Sequence, residues 1–282
     1  MKTDASRPLV EDRRHWVLCL CLAIFHGLLM EPASRVFSQT VEERDRDEPD
    51  VEQSRDVPAE TTPDLSAAER MIVEQTNQFR SQEQLAAVKP NRRLNETAQY
   101  FADFMARTEK YGHRADGKEP SERAEEHGYD FCLVAENIAY QFSSAGFSAE
   151  ELAEKFVSGW KNSPPHRKNM LDPDVTEIGL AVARSSDSPT YFAVQMFGRP
   201  QSEAISFQMS NESTGEVEYT VSRGESEKTF PLPPRARRTH QRCRPAKIEF
   251  KTFDTILEVE DGAEYVVRRS SAGKFEVANR TK

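Results

Sequence analysis

An α+β fold is predicted for this chain, on three observations. Apolar residues recur at helical spacing between residues 66 and 165, the pattern changes to strand-type runs after residue 176, and short β-type runs separated by turn residues continue beyond Pro200. Before the first of these, Arg13, Arg14 and His15 precede a mostly apolar run from Trp16 to Met30. Fifteen residues fall short of the roughly 20 that a membrane-spanning helix needs. Residues 1–38 are therefore expected to be a cleaved signal peptide, with an uncleaved signal anchor as the alternative. Either one places the remainder outside the cytoplasm, as a secreted, extracellular or periplasmic protein.

Composition locates a second non-globular stretch. Apolar residues make up 37% of the 282 and mean hydropathy is -0.72, so part of the chain is never buried. From Val41 to Ser66 ten acidic residues face three basic ones, with several prolines, and this stretch holds most of the formal charge of -9. Residues 39–65 are read as a disordered acidic linker. The acidity thus belongs to the tether, and no nucleic-acid partner is expected.

Order is predicted from Ser66, where Ser66-Ala67-Ala68-Glu69 has the form of a capping box. Ala68, Met71, Ile72 and Phe79 mark one face of the helix that follows. A second helix carries Leu94, Ala98, Phe101, Ala102 and Met105 on one stripe, which directs all five side chains at a core. A short helix near Pro120 to His127 ends at Gly128. Ser148-Ala149-Glu150-Glu151 opens another, burying Leu152, Phe156 and Trp160, and Pro164-Pro165 stops it. Glu177 to Ala183 and Tyr191 to Phe197 read as strands joined by a polar turn at Ser185 to Ser188. These elements define a domain over residues 66–200.

Residues 201–282 are read as a small β-rich domain, with strands around Val217–Val221, Ile248–Phe250 and Glu264–Val267. About 80 residues is near the lower limit for an independent core, so packing against the first domain would help it. Arg235, Arg237, Arg238, Arg242 and Arg244 are expected in one loop, either solvated or facing an anionic wall or membrane surface. Of the four cysteines, Cys19 and Cys21 leave with the signal peptide. Cys132 and Cys243 remain, and the sequence leaves open a disulfide or two buried thiols.

Three polar residues stand in suggestive contexts: His113 after Tyr111-Gly112, Glu136 in Val134-Ala135-Glu136-Asn137-Ile138, and His166 in Asn162-Ser163-Pro164-Pro165-His166-Arg167. Their separations match no local metal signature, so only the fold could bring them together. Asn77-Gln78-Phe79-Arg80, Ala135-Glu136-Asn137-Ile138, Trp160 to Arg167 and Thr176-Glu177-Ile178-Gly179 together resemble the CAP superfamily (cysteine-rich secretory, antigen 5, pathogenesis-related). The likeness is to its bacterial single-domain form, also called SCP-like, and covers about 130 residues.

That resemblance implies a three-layer α-β-α sandwich with His113, Glu136 and His166 facing a central cleft. It also implies a partial shell for Zn²⁺ or another divalent metal from those three residues. The family's fuller pattern has a second glutamate where this chain has Ser163, which removes a charged ligand. Ser163 then has two readings. It is a candidate nucleophile with His166 as base and Glu136 as orienting acid, or it caps a helix end or turn. Glu136 and Asn137 could likewise cap the start of the next segment, while Trp160, Asn77 and Arg80 are read as scaffold.

The function expected is a secreted, non-enzymatic binding module. Its cleft, lined by His113, Glu136, Ser163 and His166, would take a metal, a lipid or small apolar ligand, or a surface partner. The alternatives are a metal-assisted or serine-type hydrolase acting on peptides or envelope polymers, and a structural protein docking on a cell-envelope component. Membrane contact is expected only through an uncleaved signal.

Overall fold

The computed structural model describes residues 62–223 and 226–281. The expected signal peptide and the acidic linker up to residue 61 lie outside the described residues. Helix α1 (Leu65–Gln82) begins two residues before the expected capping box, because Asp64 takes the cap: its carboxylate accepts from Ala67 N at 3.0 Å. Glu69, expected to complete the box, reaches across to the sheet instead and accepts from Val182 N at 2.9 Å. Burial raises its pKa there.

Helix α2 (Arg92–Thr108) starts on Asn91, whose side chain accepts from two backbone amides, and buries the whole predicted stripe. Helix α3 (Pro120–Glu126) is short, with proline in its first turn where no amide is needed. Helix α4 (Ala149–Asn162) carries the predicted capping box between Ser148 and Glu151. The prolines that end α4 also begin α5 (Pro164–Met170), an element that the apolar pattern does not mark.

Strands β1 (Lys89–Pro90), β2 (Phe131–Phe142), β3 (Glu177–Arg184) and β4 (Thr190–Pro200) form one sheet in the order β1-β3-β4-β2. Only β1 and β3 run parallel; the other pairs are antiparallel. The sheet is buried on both faces. Ile178, Leu180 and Val182 of β3 pack with α1, α4 and α5, whereas Ala181 and Ala183 pack with α2 and α3. That double burial explains why the strand reads as a nearly continuous apolar run. The result is a three-layer α-β-α sandwich.

Gly179 sets how closely α2 approaches. A Cβ there would sit 2.2 Å from the Leu94 carbonyl carbon, so any side chain would push the helix off the sheet. Buried Arg80 fastens the opposite layer. Its guanidinium donates to the carbonyls of Met170 at 2.7 Å and Asp172 at 3.0 Å, tying α1 to the loop that follows α5. Asn77 exchanges two hydrogen bonds with the Val88 backbone, and Trp160 is buried in the core.

Beyond a 3-10 turn at Gln201–Glu203 the remaining strands build two further four-stranded sheets. One joins β6 (Val217–Arg223), β7 (Ser226–Leu232), β9 (Lys247–Phe250) and β10 (Thr255–Glu258). The other joins β5 (Ile205–Asn211), β8 (Arg237–Arg242), β11 (Glu264–Arg269) and β12 (Phe275–Asn279). Phe207, Tyr219, Val221, Ile248, Phe250 and Val267 share one core between them. The arginine-rich segment is therefore largely strand β8 and not the expected loop, since alternate residues, His240 among them, turn inward.

Cys132 and Cys243 are joined in a disulfide, which resolves the open alternative. Cys132 lies where the β2–β4 register shifts, between Phe131 and Leu133, so the bridge leaves the sheet at an irregularity. Beside it Arg244 forms ion pairs with Asp172 at 2.7 Å and Asp174 at 2.6 Å, and Arg223 also pairs with Asp174. These contacts hold the C-terminal sheets to the strand and the loop that frame the polar site.

Candidate functional site

Strand β2 is the outer strand of the sandwich sheet, and its alternation divides the site between two layers. Glu136 turns toward α3. Its Oε2 accepts from Arg123 Nη2 at 2.7 Å and its Oε1 pairs with His113 Nδ1 at 2.8 Å, while the carboxylate itself is 1% exposed. Asn137, the next residue, turns the other way. Its amide donates to the His166 carbonyl at 3.2 Å and to Gln195 Oε1 at 2.9 Å, and Gln195 in turn donates to Thr76. One strand thus fixes both histidine-bearing segments. Neither Glu136 nor Asn137 caps a segment, because both stand in mid-strand.

Arg123 organises the first layer. The side chain is fully buried, donating also to Asp116 Oδ1, Lys118 O and His113 O, with its guanidinium carbon 3.6 Å from the Phe101 ring centroid. A charge held this far from water requires counter-charges and hydrogen bonds, and Asp116 and Glu136 supply them. Sequence reasoning missed this residue because an arginine on a short, polar helix carries no mark of burial.

His113 is half exposed. Because the carboxylate can only accept, Nδ1 of His113 is the donor in this pair. His166 lies near enough for His113 to act on it. Burial, and then the neighbouring His113, lower its pKa, so His166 is neutral at pH 7. The His113 ring and the Glu136 carboxylate therefore meet at the edge of β2, and His166 is tied to the same strand through its backbone carbonyl.

The expected catalytic triad does not assemble. Ser163 occupies the junction of α4 and α5 but makes no side-chain cap bond, and among the described residues no hydrogen bond joins it to His166. Glu136, the supposed orienting acid, is held by His113 and Arg123 on the other side of the strand. The expected metal shell is not formed either. Among the described residues no three His, Cys, Asp or Glu side chains are grouped to hold a metal ion, and both oxygens of Glu136 are already engaged. The residues present do not fit a three-donor zinc site.

A partly exposed aromatic rim lies further along β2. Tyr111 meets Tyr140 edge-on at 5.1 Å, and Tyr140 and Phe142 are 54% and 62% exposed. Tyr111 Oη and Trp160 Nε1, from opposite layers, both donate to the Ile138 carbonyl, and Asn169 donates to that of Glu136. Side chains thereby satisfy the outer edge of β2 up to the point where the exposed rings begin.

The fold and site define an α-β-α sandwich whose polar groups gather along one edge strand. Residues 73–197 match the model of the CAP family, cysteine-rich secretory proteins, and form a CAP domain. The Bacillus subtilis protein YkwD is 28% identical over 122 residues, 43% of this chain and 44% of that one. The membrane protein YlbC of the same organism is 31% identical over 126 residues, 42% of this chain and 32% of that one. The chain spans less than half the length of either relative. An outer surface protein of Borrelia burgdorferi superposes with a TM-score of 0.43 at 20% identity, over 50% of this chain and 98% of that one.

Proposed function

We propose that this chain is an exported, non-enzymatic binding protein whose CAP domain takes a ligand with an apolar body and a hydrogen-bonding head. The observation that carries this reading is the pairing of a locked polar group with an open aromatic surface. Glu136 is held by two fixed partners, so it is not a free base, while His113 offers a half-exposed ring and Tyr111, Tyr140 and Phe142 expose theirs toward the far end of β2. A few placed polar atoms next to apolar rings suit a lipid-like or small aromatic molecule. Export is supported by the disulfide, since such bonds persist in oxidising compartments.

The test is titration of the purified chain with a fluorescent fatty acid and a fluorescent sterol. Replacing Tyr140 and Phe142 together by alanine should weaken binding roughly tenfold or more, by loss of aromatic contact area. His113→Ala should weaken it less, and zinc should leave it unchanged. No binding of either probe by the wild type would overturn the reading. So would a peptide or ester hydrolysis that disappears in Ser163→Ala.

A further inference from the structure

Strand β8 carries an unbalanced charge that the CAP domain does not explain. From Arg235 to Arg244 there are five arginines and no acidic residue. Arg244 is committed to Asp172 and Asp174, and Arg237 lies 3.6 Å from Glu264. Arg238 and Arg242 are different: among the described residues neither has a hydrogen bond or a carboxylate partner. They stand on the same side of β8 as His240, about 14 Å apart along the strand at about 3.4 Å per residue.

The two sheets meet at this margin. The Phe230 ring of β7 lies 4.8 Å from the His240 ring, with the Arg238 guanidinium 5.3 Å and the Lys228 ammonium 5.5 Å from its centroid. Tyr219 pairs with His240 Nε2 at 2.5 Å. Burial, followed by Arg238, Arg242 and Lys228, pushes the His240 pKa down to about 4, so the imidazole adds no charge of its own. Arg242 is half-buried, and burial disfavours its charged form with no counter-ion to offset it.

We propose that the β7–β8 margin, built by Arg238 and Arg242 around Phe230, binds a linear polyanion that carries phosphate or carboxylate groups along its length. Guanidinium forks match such oxyanions. Their arrangement in line along one strand suits a chain better than a flat surface. A membrane would call for apolar anchors, and none of the exposed large apolar side chains lies on β7 or β8: Tyr100, Tyr111, Tyr140 and Phe142 are in the CAP domain and Ile256 is on β10. The inference is independent of the cleft at His113.

The experiment measures binding of the full exported chain to long-chain polyphosphate, polyglutamate, inorganic phosphate and vesicles of anionic phospholipid. Either polymer should bind, more weakly as salt rises. Arg238→Gln with Arg242→Gln should reduce that affinity at least about tenfold, as expected for losing charge-assisted bonds. Arg235→Gln with Arg237→Gln, the first in the turn before the strand and the second on its other side, should change it less than about twofold by the weak value of solvated surface pairs. In the absence of polymer Arg242→Met should raise the melting temperature, because it removes an unpaired half-buried charge. Failure of both polymers to bind, binding of vesicles alone, equal affinity for inorganic phosphate, or a lower melting temperature in Arg242→Met would overturn the proposal.

Discussion

The two halves of this molecule treat buried polar groups in opposite ways. In the CAP domain Arg123 lies at zero exposure, and the groups around it answer its charge: Asp116 and Glu136 beside it, Phe101 beneath it, two carbonyls at its edges. In the C-terminal sheets His240 is buried among Phe207, Tyr219 and Phe230, where it remains neutral while Arg238 and Arg242 around it go unanswered. Compensated charge fixes geometry, as the rigid approach of His113 to Glu136 requires. Uncompensated charge leaves affinity for something else.

The sharpest way to break this contrast is Arg123→Ala. Removing Arg123 leaves the buried Asp116 without its counter-charge and Glu136 with His113 alone, and urea denaturation should show a loss of about 3–5 kcal/mol. A loss under about 1 kcal/mol, the worth of a surface pair, would mean water reaches the network. Next in size is the Cys132→Ser, Cys243→Ser double variant. The bridge closes 111 residues of chain, and its removal should cost about 4 kcal/mol. The C-terminal strands should then show faster amide exchange than the sandwich core.

Acid should discriminate the halves. Well above pH 6.5 His240 is neutral whether the chain is folded or not. As pH falls from 6.5 toward 4 the unfolded chain gains a proton that the folded chain resists, so stability falls, by about 3 kcal/mol at the lower end. Urea midpoints between pH 7 and 4.5 should record the loss, and His240→Phe should remove that component. The lowered His166 pKa works in the same direction within the CAP domain. Smallest is Ser148→Ala, which deletes the cap of α4 and should cost about 1 kcal/mol by thermal melting.

Several elements are readable in the chain because their signals are local. The stripe of α2, the Ser148–Glu151 box and the runs of β3 and β4 depend on neighbours three or four positions away, or on alternation, and all stand where those patterns put them. The start of α1 differs from its expected place because Asp64 and Ser66 compete for one cap, and only the packing of Glu69 on Val182 decides between them. Strand β2 is not legible in the same way. Its apolar and polar residues do not alternate cleanly, since Glu136 and Asn137 are both buried by partners far along the chain. The same long-range partners make Glu136 look available for a metal or a triad when it is held on both sides.

The sequence by itself determined the helices, the central hairpin and the motif residues, because helix caps and apolar periodicity act over a few residues whatever the rest of the chain does. Tertiary structure alone decided that Arg123 neutralises Glu136, that Cys132 meets Cys243, and that Arg238 and Arg242 have no carboxylate partner among the described residues. Ion pairing and burial depend on distances through space, and the order of residues along the chain does not specify those.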